Sequence, residues 1–361
     1  MPKILSATFA ERVTRPVRPL LVVPGLFQTA IYEDGGVGHV WGRLRNLYGG
    51  PPIATLEGLR GKPGQIVRVI PIIPGLINYD LMRSLERALC SAGYRVDETL
   101  HYFAYDWRLR ILDLGVALAA EVRRFAERSG GPIDMLGLSN GGPMIRAAFA
   151  ADGALPVERV VTSGGPHGGS VETLACLDRG FQFAPLGRTV PPAQFMACPG
   201  ALQAIPSPAQ AKFVCDEDGA GQVNDLYDVD TWRRLRMSVF RRDPDDPVWV
   251  DLMTKRLADM RETWRQLDAA PAPRRLICIC GTGIPTQVGI VVRKARAYLP
   301  GEGRLAGIPP AAITDGDGAL TVEQASAWTG ADAEVVRIAV SRHRDTVRTP
   351  AAFDAILKAL A

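Results

Sequence analysis

PIDMLGLSNGGPMIRAAFAA (132–151) sets an apolar run, a Gly-x-Ser-x-Gly pattern and an Ala-rich apolar stretch in direct succession. The pattern is Gly137-Leu138-Ser139-Asn140-Gly141. With 37 glycines among 361 residues, such a pattern has an appreciable chance rate, so its context must carry the argument. Here the context fits: a strand-like run leads in and a helix-compatible run leads out. A strand-to-helix elbow is sharp and strained. Glycines on both sides of Ser139 leave room for the turn, and the hydroxyl is left exposed at the carboxyl end of a sheet. The helix N-terminus behind it favours negative charge developing nearby. Ser139 is therefore the candidate nucleophile.

The rest of the chain supplies the sheet this elbow needs. PLLVV (19–23), QIVRVIPII (65–73), LHYFAY (100–105), VERVVTS (157–163), RRLICIC (274–280) and AEVVRIAV (333–340) read as further strands ending in Gly, Pro or polar loops. Helix-like stretches separate most of them: 79–93, 111–130, 141–153 and 349–360. The stretch ILDLGVALAAEVRRFAERSG (111–130) repeats apolar residues every three or four positions, so one face is buried, and it closes on Gly130. Strands alternating with helices predict an α/β fold, with a mostly parallel sheet and helices on both faces. From about 171 to 265 the rhythm breaks, first Pro-rich and then helical and Arg-rich. This segment reads as a cap inserted into a core made of 1–170 and 266–361. Its Trp232, Trp249 and Trp264 either line an acyl pocket or simply pack the cap.

Composition narrows the function. A formal charge of +4, with no run of Lys or Arg, excludes nucleic acid as the expected partner. The start, MPKILSATFAERVTRP, has no apolar signal core, and no apolar run approaches the ~20 residues that span a bilayer. A cytoplasmic chain with at most peripheral membrane contact is expected. The six cysteines are scattered, and free buried thiols are expected. No metal-ligand cluster or cofactor motif appears, and serine chemistry needs neither.

A serine hydroxyl needs a base to take its proton, and the chain has four histidines. His39 lies far upstream in a loop, and His101 sits within an apolar strand. In elbow-type enzymes the order along the chain is Ser, acid, His, which leaves His167 and His343. His167 would require an acid between 140 and 166. Only Asp152 and Glu158 lie there, neither at a strand end, so His343 is preferred. The acid should follow a core strand between Ser139 and His343. The loop Asp315-Gly316-Asp317-Gly318 offers two candidates that spacing cannot separate. The oxyanion donors are expected at the Asn140 N–H and, after the first strand, at the Leu26 N–H, with Phe27 next. Pro74-Gly75-Leu76 is a rival loop.

Several of these pieces together resemble the lecithin:cholesterol acyltransferase family, which includes lysosomal phospholipase A2-like enzymes. They are VVPGL (22–26), GYRVDETLHYFAYDWR (93–108), GLSNGG (137–142), GGPHGGS (164–170), YDVDTW (227–232), GTGIPT (281–286), DGDGAL (315–320) and His343. The resemblance implies an α/β-hydrolase fold with a cap and a triad of Ser139, Asp317 and His343. It selects Asp317 over Asp315 and Leu26 as a donor. It also implies that Asp106 and Arg108 form a buried structural ion pair. The chain departs from the family pattern at Leu138, where His is usual, and at Asn140, where an apolar residue is usual. It also lacks the early Cys pair of the membrane-docking element in secreted members.

The expected function is a serine-dependent hydrolase working through an acyl-enzyme on a lipid-like acyl ester. One alternative passes the acyl group to an alcohol. A second is a non-catalytic binding module on the same scaffold.

Overall fold

In a computed structural model the described residues are 17–361, except 36–37, 74–76, 81, 183–186, 216–223, 295 and 300–304. Six strands form one sheet: β1 (Leu20–Val23), β2 (Leu100–Tyr102), β3 (Ile133–Leu138), β4 (Val157–Ser163), β5 (Leu276–Thr282) and β6 (Ala333–Ala339). Their order is β6-β5-β4-β3-β1-β2, and every neighbouring pair is parallel. All residues of β1 and β3 are buried, as is most of β5. Burial on both faces explains why these strands read as continuous apolar runs without alternation.

Six of the seven strand-like runs in the sequence supply this sheet. The exception is QIVRVIPII. It divides into Lys62–Ile66, which pairs antiparallel with Thr29–Tyr32, and Val69–Ile73, which pairs antiparallel with Ile77–Asp80. β-branched density alone does not say whether a strand pairs centrally or in a hairpin.

Helix α1 (Arg83–Ser91) and the C-terminal helix (Pro350–Leu360) contact each other, the latter lying on β4, β5 and β6. Helix α2 (Ile111–Ser129) ends where Gly130 takes a left-handed φ of 73°. It packs on α3 (Gly141–Ala151), which follows the elbow. A Cβ built on Gly115 of α2 would stand 2.6 Å from the Ala147 backbone, so the two helices touch backbone to backbone. Nine of the eleven residues of α3 are buried, Arg146 among them.

The 171–265 segment lies between β4 and β5 and adds no strand to the sheet. It contains α4 (Val171–Arg179) and all but the last three residues of the long α5 (Pro247–Asp268), capped by the Asp246 side chain. Arg146 ties α5 to the core. Its guanidinium donates to the Leu267, His167 and Ala327 carbonyls and to the Asp268 and Thr329 side chains. Trp232 and Trp264 are buried as packing, and the tryptophans that face the pocket described below are Trp41 and Trp107 instead. All six cysteines are free, but only Cys198, Cys278 and Cys280 are buried. Among the described residues, no helix is long and apolar enough to cross a membrane.

Candidate active site

Ser139 follows the last residue of β3 and sits at φ 48°. A non-glycine residue held there costs about 1–2 kcal/mol, so its surroundings must over-determine it. They do. The Ser139 N–H donates to the Ser163 carbonyl (2.8 Å) and its carbonyl accepts from Gly142 N–H (2.9 Å). A Cβ on Gly141 would stand 2.1 Å from the Val23 carbonyl oxygen, and one on Gly137 would stand 2.8 Å from Gly142 N. The flanking glycines thus let β1, β3 and the start of α3 close on the serine.

His343 begins a short 3-10 turn (His343–Val347) just beyond β6. Its Nε2 lies 3.2 Å from Ser139 Oγ, and its Nδ1 lies 2.7 Å from Asp317 Oδ2. The turn is held from below: Ser163 Oγ donates to the Thr346 carbonyl, and Thr346 Oγ1 donates to the His343 carbonyl. Gly164, at φ 61°, has no side chain where a Cβ would stand 3.1 Å from His343 Cε1. Ser163, Gly164 and Thr346 were not singled out from the sequence. The GGPHGGS run was the available signal for Gly164.

Asp317 is 1% exposed, and its other oxygen accepts the Ala319 and Leu320 N–H groups at 2.9 and 2.7 Å. Burial pushes its carboxyl up, but the His343 contact and these amides outweigh it and hold the pKa below the ordinary value. Asp315, two residues earlier, is exposed and accepts the Gly283 N–H (2.8 Å), a bond between two distant segments of the chain. The structure thereby separates two aspartates that spacing could not. The expectation that a core strand leads directly into the acid does not fit Asp317. Asp317 follows a short strand, Ile313–Gly316, that pairs antiparallel with Ile284–Gln287 outside the main sheet. It reaches the end of β5 because Gly281 has no side chain, a Cβ there standing 2.6 Å from Asp317 Cβ.

The loop after β1 lies against the elbow, a Cβ on Gly25 standing 3.2 Å from Ser139 Cβ. Gln28 Oε1 accepts the Gly25 N–H (2.5 Å), and Phe27 takes φ 66°. Among the described residues, neither the Leu26 nor the Asn140 N–H donates to a protein group. Two uncommitted donors beside Ser139 suit an oxyanion. The rival loop at Pro74-Gly75-Leu76 lies outside the described residues.

The other histidines are elsewhere. His39 opens a short strand (His39–Trp41), where its ring packs on Tyr32. His101, on edge strand β2, pairs with Glu121 at 3.0 Å. His167 is fully buried against Trp328 and Thr162. Burial, helped by the Arg146 charge, drives its pKa down to about 3, so it stays neutral. Asp152 pairs with Arg123 and Glu158 with Arg274, both on the surface. The Asp106–Arg108 pair is buried, with Arg108 also donating to the Ile53, Arg60 and Gly61 carbonyls, and so pins that loop.

Ser139, Asn140, Leu26 and His343 open onto a cavity of about 330 Å³. Its walls are mostly apolar, with Glu172, Arg344 and Arg348 as the charged lining residues. Among the described residues, no group of three or more His, Cys, Asp or Glu could hold a metal ion.

No protein-family model and no curated protein matches the chain. Among solved structures it is similar to a chain of the Tle4–Tli4 complex, at TM-score 0.58 and 11% identity, covering 95% of this chain and 98% of that one. It also aligns with the mature form of Bacillus licheniformis lipase BlEst2, at TM-score 0.42 and 15% identity over 97% and 95% of the two chains. A third alignment, with Paleococcus ferrophilus monoacylglycerol lipase, has TM-score 0.32 and 12% identity over 77% and 86%. With its parallel sheet, the strand-to-helix elbow after β3 and helices on both faces, this chain has an α/β-hydrolase fold.

Proposed function

We propose that this protein is a serine hydrolase of lipid-like acyl esters, with Ser139, His343 and Asp317 as its triad. The observation that carries this reading is the bond chain from Ser139 Oγ through His343 to the buried Asp317, at 3.2 and 2.7 Å. In the first half-reaction Ser139 Oγ attacks the ester carbonyl carbon while His343 Nε2 takes its proton. The Leu26 and Asn140 N–H groups hold the oxyanion. The tetrahedral intermediate collapses, His343 returns the proton to the leaving alcohol, and an acyl-enzyme remains. Water, deprotonated by His343, then releases the carboxylic acid. Asp317 fixes the imidazole tautomer and stabilises the imidazolium.

The lecithin:cholesterol acyltransferase-like resemblance belongs to this reading, and the buried Asp106–Arg108 pair that it implies supports it. The 171–265 segment acts as the cap over the site. Six free thiols support a reducing compartment such as the cytoplasm. The apolar lining also favours transfer to an alcohol as a second reading, since it disfavours water in the second half-reaction. Product analysis with added alcohols separates the two: free acid alone counts against transfer.

The test of the whole reading is fluorophosphonate labelling read by intact mass. One adduct on wild type that disappears in Ser139→Ala is expected. Well-folded wild type without any adduct would turn the interpretation toward a binding module.

A further inference from the structure

The cavity at Ser139 has an aromatic end. Phe27, two residues beyond the glycine that touches Ser139, carries the ring from which this end is built. Its centroid lies 4.6 Å from Trp107, 5.4 Å from Trp41, 5.6 Å from Phe181 and 6.4 Å from Phe195. Two of these rings are pinned by hydrogen bonds to the chain. Trp41 Nε1 donates to the Phe27 carbonyl (2.7 Å) and Trp107 Nε1 to the Thr29 carbonyl (3.3 Å). Trp41, Trp107 and Phe195 are buried, so the core stands behind them. Moving either tryptophan aside would break a bond and open a void, which close-packed interiors resist.

The space of this cavity is about 330 Å³. At about 30 Å³ for each small heavy-atom group, the share of one water molecule in the liquid, it takes about eleven such groups. A single acyl chain fills it at medium length. A longer chain must either displace the pinned rings or leave that space.

We infer that the acyl group carried by Ser139 is one chain of about eight to twelve carbons, and that Phe195 and its ring neighbours set that length. This rests on the hydrolase reading above and adds the chain-length class to it. The wall comes from both sides of the fold: Phe27, Trp41 and Trp107 from the core, and Phe181 and Phe195 from the 171–265 segment. Length selection is therefore a joint property of core and segment.

The experiment is kcat/KM for p-nitrophenyl esters from butanoyl to hexadecanoyl, with fluorophosphonate labelling of Ser139 run in parallel. Each added methylene should raise kcat/KM by up to about fourfold while it is buried, until about ten to twelve carbons. Beyond that point the value should level or fall. Phe195→Ala should move the break longer by about three carbons, its lost ring being replaced by chain. Ala201 also lines the cavity, so Ala201→Phe should move the break shorter. If Phe195→Ala does not fold, the wild-type and Ala201→Phe profiles still decide. A labelled enzyme whose kcat/KM climbs steadily to sixteen carbons, or whose break stays put in Ala201→Phe, overturns the length assignment and leaves the hydrolase reading standing. A folded chain that neither labels nor cleaves any ester overturns both.

Discussion

At the carboxyl end of the sheet, glycines bring segments into close contact. Gly25, Gly137, Gly141, Gly164 and Gly281 each sit where a side chain would crowd a neighbouring strand, the start of α3, the serine, the imidazole or the carboxylate. In the 171–265 segment the opposite holds: bulky side chains such as Phe195, Trp232 and Trp264 fill the space, and one cation, Arg146, reaches up from the core to hold the end of α5. The difference is physical. Reacting groups must be placed to a few tenths of an ångström, which short backbone contacts achieve. A pocket wall needs only volume and apolarity, which many side chains can supply. Substitutions should therefore be felt in kind, through activity at the first region and through substrate range or stability at the second.

The largest expected effect is Ser139→Ala, which should lower kcat on any accepted ester by about 10⁶-fold. Retained activity in a purified variant would remove Ser139 from the mechanism. Next is Asp317→Asn, expected to cost about 10⁴-fold by favouring the wrong imidazole tautomer. Its neighbour is the control. Asp315→Asn keeps an oxygen acceptor for the Gly283 N–H and should change kcat by less than about twofold. Equal losses at the two positions would contradict the assignment of the acid.

Gly141→Ala sharpens the backbone side of the comparison. With Val23 oxygen 2.1 Å from the new Cβ, the elbow must shift, and urea unfolding should show a loss of at least about 3 kcal/mol together with lost labelling. Arg146→Leu tests the side-chain side. It leaves the Leu267, His167 and Ala327 carbonyls without their donor and should cost about 3 kcal/mol in the same assay. A stability within about 0.5 kcal/mol of wild type would show that α5 does not depend on the Arg146 bonds.

The smallest effect is in pH. His167 is neutral in the fold with its pKa lowered to about 3, whereas the unfolded chain binds that proton near 6.5. Between those values the unfolded state carries more protons, so stability falls as pH falls. The maximum slope is ~1.4 kcal/mol per pH unit, giving about 2 kcal/mol between pH 6.5 and 4.5. His167→Gln should flatten this part of the stability curve. Asp317 adds its own loss at more acid pH, beginning near the ordinary carboxylate value and complete below its lowered folded pKa.

Much of this was legible from residues alone. The elbow was readable because few sequences place glycines on both sides of a serine between an apolar run and a helix. The preference for His343 over His167 needed only chain order and the missing acid. In the structure His167 is sealed away from water and His343 Nε2 lies 3.2 Å from Ser139 Oγ. The two aspartates were different. Both belong to one Asp-Gly-Asp-Gly run, and such similar local chemistry carries no information about which one faces inward.

The sequence by itself determined the alternation of strands and helices, the elbow at Ser139 and the order of the reacting groups, because these follow from local periodicity and glycine freedom. Only the tertiary structure decided the strand order, the diversion of QIVRVIPII into hairpins, the burial of Asp317 rather than Asp315, and the aromatic end of the cavity. Each of those depends on which distant segments share one space. Phe27, Trp41 and Trp107 meet Phe181 and Phe195 across more than seventy residues of chain, and no local pattern records that meeting.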